Sequence, residues 1–118
     1  MKMTYFVVGT NQRQQAADYY NSLFADQQWQ MMHDGDRMTL WAGDGFLFAL
    51  ADPFDGKPAS VGNGSMVGFQ FENDDEVAAL HARAIELGGS DEGEPGLRSG
   101  RFAAYVRDLD GNKLCFFC

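Results

Sequence analysis

No apolar run in this chain approaches the roughly 20 residues that a membrane-spanning helix needs, and its start lacks the basic, apolar and small-residue regions of a secretory leader. The expectation is a protein without a membrane partner that stays in the compartment where it is made. Positive charge is also scarce. Lys and Arg number 9 against 17 Asp and Glu, and the net charge of -8 opposes approach to phosphate backbones. Nucleic acid is therefore not an expected partner, whereas a cationic small molecule is mildly favoured. Apolar residues are plentiful: at 45%, with 14% aromatic, they suffice for the core of one 118-residue domain.

Cysteine and histidine are nearly absent. The two cysteines, Cys115 and Cys118, lie three positions apart at the end of an apparent strand. That odd spacing puts their side chains on opposite faces, and a rise of about 3.3 Å per residue separates their Cα atoms by about 10 Å, beyond the roughly 7 Å reach of a disulfide. A zinc site would need two more ligands, and only the remote His33 and His81 could supply them. A reduced, cytoplasmic setting follows.

The chain repeats itself. Met38-Thr-Leu-Trp-Ala-Gly-Asp-Gly45 and the apolar Phe46 to Leu50 are echoed by Ala104-Tyr-Val-Arg-Asp-Leu-Asp-Gly111 and Asn112 to Phe117. Each copy reads as strand, Asp-Gly turn, strand. Upstream, Met3 to Val8 precedes a helix with Ala16, Tyr19, Tyr20, Leu23 and Phe24 at helical spacing, capped by Thr10 or Asn11. Likewise Ser65 to Phe71 precedes a helix carrying Val77, Leu80, Ala84 and Leu87, capped by Asn73 or Asp74 and closed by Gly88-Gly89. In the first copy Gln28 to Met32 and Arg37 to Ala42 flank a hairpin turn at His33-Asp34-Gly35-Asp36. In the second, a polar, glycine-rich connection through Gly96 leads to Arg101 to Val106. The expected fold is α+β, with two tandem βαβββ modules, 1–51 and 65–118, forming curved mixed sheets around a cleft. Residues 52–64 hold two of the three prolines and three glycines and form the linker, long enough to fold over the cleft mouth.

Strand alternation assigns the faces. Val67, Phe69 and Phe71 pack under the helix and leave Met66, Gly68 and Gln70 opposite. Tyr5 and Val7 share that second face, as do Arg101, Ala103 and Tyr105, against helix-facing Phe102, Ala104 and Val106. Through the repeat, Arg37, Thr39 and Trp41 take the matching places in the first module. A concave face with rings, a glycine and a few polar groups suits a small ligand, so Tyr5, Trp41, Met66, Gln70, Arg101, Tyr105 and Cys115 are the candidate ligand-binding residues. Arg101 and Arg37 could clamp an anionic group.

The ending Tyr105-Val-Arg-Asp-Leu-Asp-Gly-Asn-Lys-Leu-Cys115, with the helix end Ala84-Ile-Glu-Leu-Gly-Gly89 and the duplicated unit, resembles the vicinal oxygen chelate superfamily of glyoxalases, bleomycin-resistance proteins and extradiol dioxygenases. The resemblance spans essentially the whole chain and implies two such modules, commonly in a homodimer. Enzymes of that superfamily hold a divalent metal on the first and last strands of each module. Those places fall on Tyr5, Ala49, Met66 and Cys115, which offer none of the usual imidazole or carboxylate donors, and the family's Glu base is missing as well. The expectation is a small-molecule-binding protein without a cofactor or metal and with no assigned catalytic residue. The rival reading is a metal-dependent lyase or isomerase of the glyoxalase I type, or a dioxygenase relative, with the metal held elsewhere.

Other titratable residues read as structural. His33 belongs to a solvated turn, and His81, beside Leu80 and Ala84, is a core or interface histidine. Cys115, with no histidine placed to activate it, is a buried, inert thiol. Asp74-Asp75-Glu76 complement a helix N-terminus, and Asp91-Glu92-Gly93-Glu94 form a surface loop.

Overall fold

The computed structural model describes residues 1–118, and the chain folds as two compact units, Met1–Val61 and Gly62–Cys118. The boundary falls within the Pro- and Gly-rich stretch. Each unit is one βαβββ module.

In the first unit β1 (Tyr5–Gly9) leads into α1 (Arg13–Leu23), followed by β2 (Gln30–Asp34), β3 (Met38–Ala42) and β4 (Leu47–Ala51). The sheet order is β1-β4-β3-β2, with β1 parallel to β4 and the other pairs antiparallel. Its core is aromatic. Tyr20, Leu23 and Phe24 of α1 are buried with Trp41, Phe48 and Leu50 of the sheet. Trp29 stacks on Trp41 with centroids 5.3 Å apart, and Tyr20 meets Phe48 at 5.0 Å. The Trp41 Nε1–H donates to Asn21 Oδ1 at 2.8 Å, which satisfies the buried indole.

Trp41 and Thr39 therefore face the helix, opposite to the expected side. The open side of β3 carries Met38 and Leu40. The reason lies in the turns. The β3–β4 loop runs from 43 to 46, between the closing pair Ala42 and Leu47. In the second unit the corresponding loop, 108–112, is one residue longer. Aligning the two Asp-Gly turns thus slips the preceding strand by one residue, and one residue exchanges the faces of a strand.

The second unit repeats the topology with β5 (Val67–Gln70), α2 (Asp74–Glu86), β6 (Ser90–Arg98), β7 (Arg101–Arg107) and β8 (Lys113–Phe117), in the order β5-β8-β7-β6. Phe69, Ala104, Val106, Leu114 and Phe116 are buried with Val77, Leu80 and Ala84 of α2. Asn73 caps α2 by accepting the Glu76 N–H at 2.9 Å, and three acids occupy the first turn. At the other end Gly88 adopts φ 112°, and the Gly89 N–H reaches Ala84 O at 2.9 Å, a left-handed stop only glycine takes readily.

Three local expectations change. Residues 90–98 are a strand, not a connection: β6 pairs with β7 through two register irregularities, which accommodate Gly93, Pro95 and Gly96 at a sheet edge. Neither Thr10 nor Asn11 caps α1. Thr10 Oγ1 accepts the Gln12 N–H, and Asn11 brackets Ala59, donating to its carbonyl at 3.0 Å and accepting its N–H at 2.7 Å. This ties the 52–61 stretch to the end of β1. His33 is a paired residue of β2, opposite Leu40, and not part of the turn.

Candidate functional site

Each sheet has one face under its helix and one without. The second unit's open face gathers the most chemistry. Its centre is Tyr105, which pairs directly with Cys115 across β7 and β8, while Gly68 pairs with Cys115 from the other side. Strand alternation sets Lys113 and Phe117 on the same face as Cys115. The Arg98 guanidinium and the Lys113 ammonium each lie 5.2 Å from the Tyr105 ring centroid, and Arg101 lies 5.0 Å from that of Phe117. Glycines let these rings lie against neighbouring strands: a Cβ on Gly93 would come within 2.8 Å of Tyr105, and one on Gly68 within 3.2 Å of Phe117.

Cys115 is only 7% exposed. Burial pushes its thiol pKa up, and a hydrogen bond with Tyr105 and the charges of Lys113 and Arg98 pull it only partly back. The group is a neutral thiol at the floor of a face with positive charge above it. Cys118 lies apart, its Sγ donating to Asp74 Oδ1 at 3.2 Å, and that bond raises its pKa. Both cysteines are free.

Of the residues expected to bind a ligand, Met66, Gln70, Arg101, Tyr105 and Cys115 stand on or beside this one face, with Met66 and Gln70 in step with Gly68. Tyr5 belongs to the first unit's open face, where with His33, Arg37, Met38 and Leu40 it lines a depression of ≈ 260 Å³. Trp41 lies on neither open face, being fully buried under α1. Arg98 and Lys113 were not singled out from the sequence. Lys113 was legible, two residues before Cys115 on the same strand face; Arg98 was hidden in a segment without alternation.

His81 is structural. Its Nε2 lies 2.9 Å from Asp91 Oδ1, joining α2 to β6. Asp91 is held below the usual carboxylate range, first by this bond and then by the Gly93 N–H.

The model of the Glyoxalase/Bleomycin resistance protein/Dioxygenase superfamily matches residues 2–116. The chain belongs to that superfamily. Among solved structures it is similar to a glyoxalase/bleomycin resistance protein from Albidiferax ferrireducens T118, at 30% identity and TM-score 0.90, over 98% of this chain and 96% of that one. A glyoxalase-related enzyme from Fulvimarina pelagi shares the fold at 19% identity and TM-score 0.83, covering 99% and 87% of the two chains. Lactoylglutathione lyase from Agrobacterium tumefaciens does so at 17% identity and TM-score 0.76, covering 98% and 92%. No curated protein matches at a significant level.

Superfamily membership raises the question of a divalent metal, and the donors at the matching positions do not fit one. Tyr5 and Ala49 in the first unit, and Met66 and Cys115 in the second, supply a phenol, a methyl, a thioether and a buried neutral thiol, none of them a usual ligand for a hard divalent ion. Within neither unit do three His, Cys, Asp or Glu side chains come together as a metal-ligating group.

Proposed function

We propose that this superfamily member binds a small organic molecule on the open face of the β5–β8 sheet without a metal, as a homodimer in a reduced cytoplasmic setting. One observation carries the reading: Tyr105 has both Arg98 and Lys113 against its ring beside Cys115, half-buried and donor-rich, on a sheet face that no helix of its own unit covers. Rings fixed on strands and surrounded by a few donors bind without much loss of side-chain freedom. The homodimer rests on unpaired edges: every residue of edge strand β2 is exposed, Met31 and Met32 among them, and so is Leu97 of edge strand β6. A concentration-independent monomer mass in light scattering would refute the dimer.

A fragment library screened by ligand-detected NMR tests the binding reading, with hits mapped on amide spectra. Hits should perturb β5, β7 and β8 together. Tyr105→Phe, which removes the hydroxyl, should weaken them by about 0.5–1.5 kcal/mol while leaving the melting temperature unchanged. Hits that map elsewhere and are indifferent to Tyr105→Phe would refute it.

A further inference from the structure

The whole chain is acidic, yet the second sheet's open face is not. Of the five cationic residues in Gly62–Cys118, only Arg83 lies on α2; Arg98, Arg101, Arg107 and Lys113 stand on the sheet. Most of the unit's carboxylates near the sheet are engaged elsewhere, the exposed Glu94 of β6 excepted. Asp74, Asp75 and Glu76 sit at the start of α2, Asp91 faces His81, and Asp108 accepts the Asp110 and Asn112 N–H groups inside its loop. Glu92 pairs with Arg107 at 2.9 Å. Arg98, Arg101 and Lys113 rest on aromatic rings instead of forming a close ion pair, although the charge of Arg98 also reaches the Asp91 carboxylate.

A cation over a ring keeps most of its N–H donors free. Arg98 commits Nη1 to the Ala103 carbonyl, which fixes the guanidinium in place. The Cys115 thiol beside Arg98 and Lys113 stays neutral because it is buried, so it cancels none of their charge. Two cations against one ring, with no carboxylate in direct contact with either, repel each other, and an anion that joins them relieves this cost.

Building on the small-molecule reading above, we propose that this face recognises a compact monoanion, a carboxylate or its like, carried on a flat apolar group, with Arg98 and Lys113 as paired donors over Cys115. The apolar part lies along Phe117 and Met66, and Arg101 borders it. Three cations on a chain of net charge -8 suit a small anion and not a polyanion such as a nucleic acid. The net charge favoured a cationic ligand; the local arrangement reverses that expectation.

Benzoate, benzamide and benzylamine have nearly the same shape and differ in charge, so titrating each into 15N-labelled protein and following the amides of 66–70, 98–105 and 113–117 tests the proposal. Benzoate should give saturable shifts on these residues, and benzylamine none. Lys113→Gln and Arg98→Gln should each weaken benzoate by about tenfold, since both remove a charge-assisted donor. Thermal melts confirm that each variant folds; if Arg98→Gln does not, Lys113→Gln alone decides. Benzamide binding as tightly as benzoate would overturn the anion assignment and leave the small-molecule reading standing. Benzoate shifts no larger than those from sodium chloride at equal ionic strength, or unaffected by Lys113→Gln, overturn it equally.

Discussion

At the scale of single residues, the same chemistry has opposite roles in the two modules. Trp41 and Tyr105 are both large rings on the third strand of their sheets. Trp41 is locked among Tyr20, Trp29 and Phe48 with its indole N–H on Asn21; Tyr105 sits on the open face under two cations. Trp41→Ala should therefore destabilise the fold by roughly 3–5 kcal/mol, the range for emptying a buried aromatic site. Ligand affinity measured on the surviving folded fraction should stay the same. An unchanged urea midpoint would contradict the core placement. The difference between the two rings was not legible in the sequence, because alternation gives two faces and does not say which one a helix covers. For Met66 to Phe71 the bulk of Val67 and Phe69 settled the question; in Met38-Thr-Leu-Trp-Ala both faces carry large side chains, and only the packed helix decides.

At the scale of elements, α2 was the most legible and β6 the least. Asn73, the apolar spacing of Val77, Leu80 and Ala84, and Gly88-Gly89 name the start, buried face and end of α2 with local chemistry alone. β6 has none of these signals: it is acidic, interrupted by Gly93, Pro95 and Gly96, and exists because β7 supplies a pairing edge. It is also fastened to α2 by His81 and Asp91. The Asp91 carboxylate is stabilised in its charged form, so its contribution to stability is present above the usual carboxylate range and is lost as pH falls through the lowered value. Asp91→Asn should lower the urea midpoint near neutral pH, and the gap to the parent protein should close below about pH 4. A gap that stays constant down to pH 2 would show that the pairing acts without the charge.

At the scale of the whole molecule, the duplication and the family were both legible, because the repeat, the Asp-Gly turns and the Tyr105 to Cys115 ending lie in contiguous sequence. The donor set around Tyr105 was not, because Arg98 and Lys113 come against the same ring only once three strands are paired. The donor set has a measurable consequence. A tightly bound ion would add several kcal/mol of linked stability. Excess chelator should leave the melting temperature unchanged, since no position matching the superfamily's metal ligands offers imidazole or carboxylate. A fall of several degrees, reversed by one divalent ion, would overturn the metal-free reading.

The extra residue in the 108–112 loop reaches further than the mismatch it causes. Asp108 gathers the surplus backbone, accepting the Asp110 and Asn112 N–H groups at 2.9 Å and the Asn112 side-chain amide at 3.0 Å, so that β7 and β8 close on the pair Arg107 and Lys113. A turn that can store one residue in this way uncouples length from phase. Two copies of an ancestral module can then gain or lose residues at their hairpin tips and diverge in what their sheets display, while each keeps its own inside and outside.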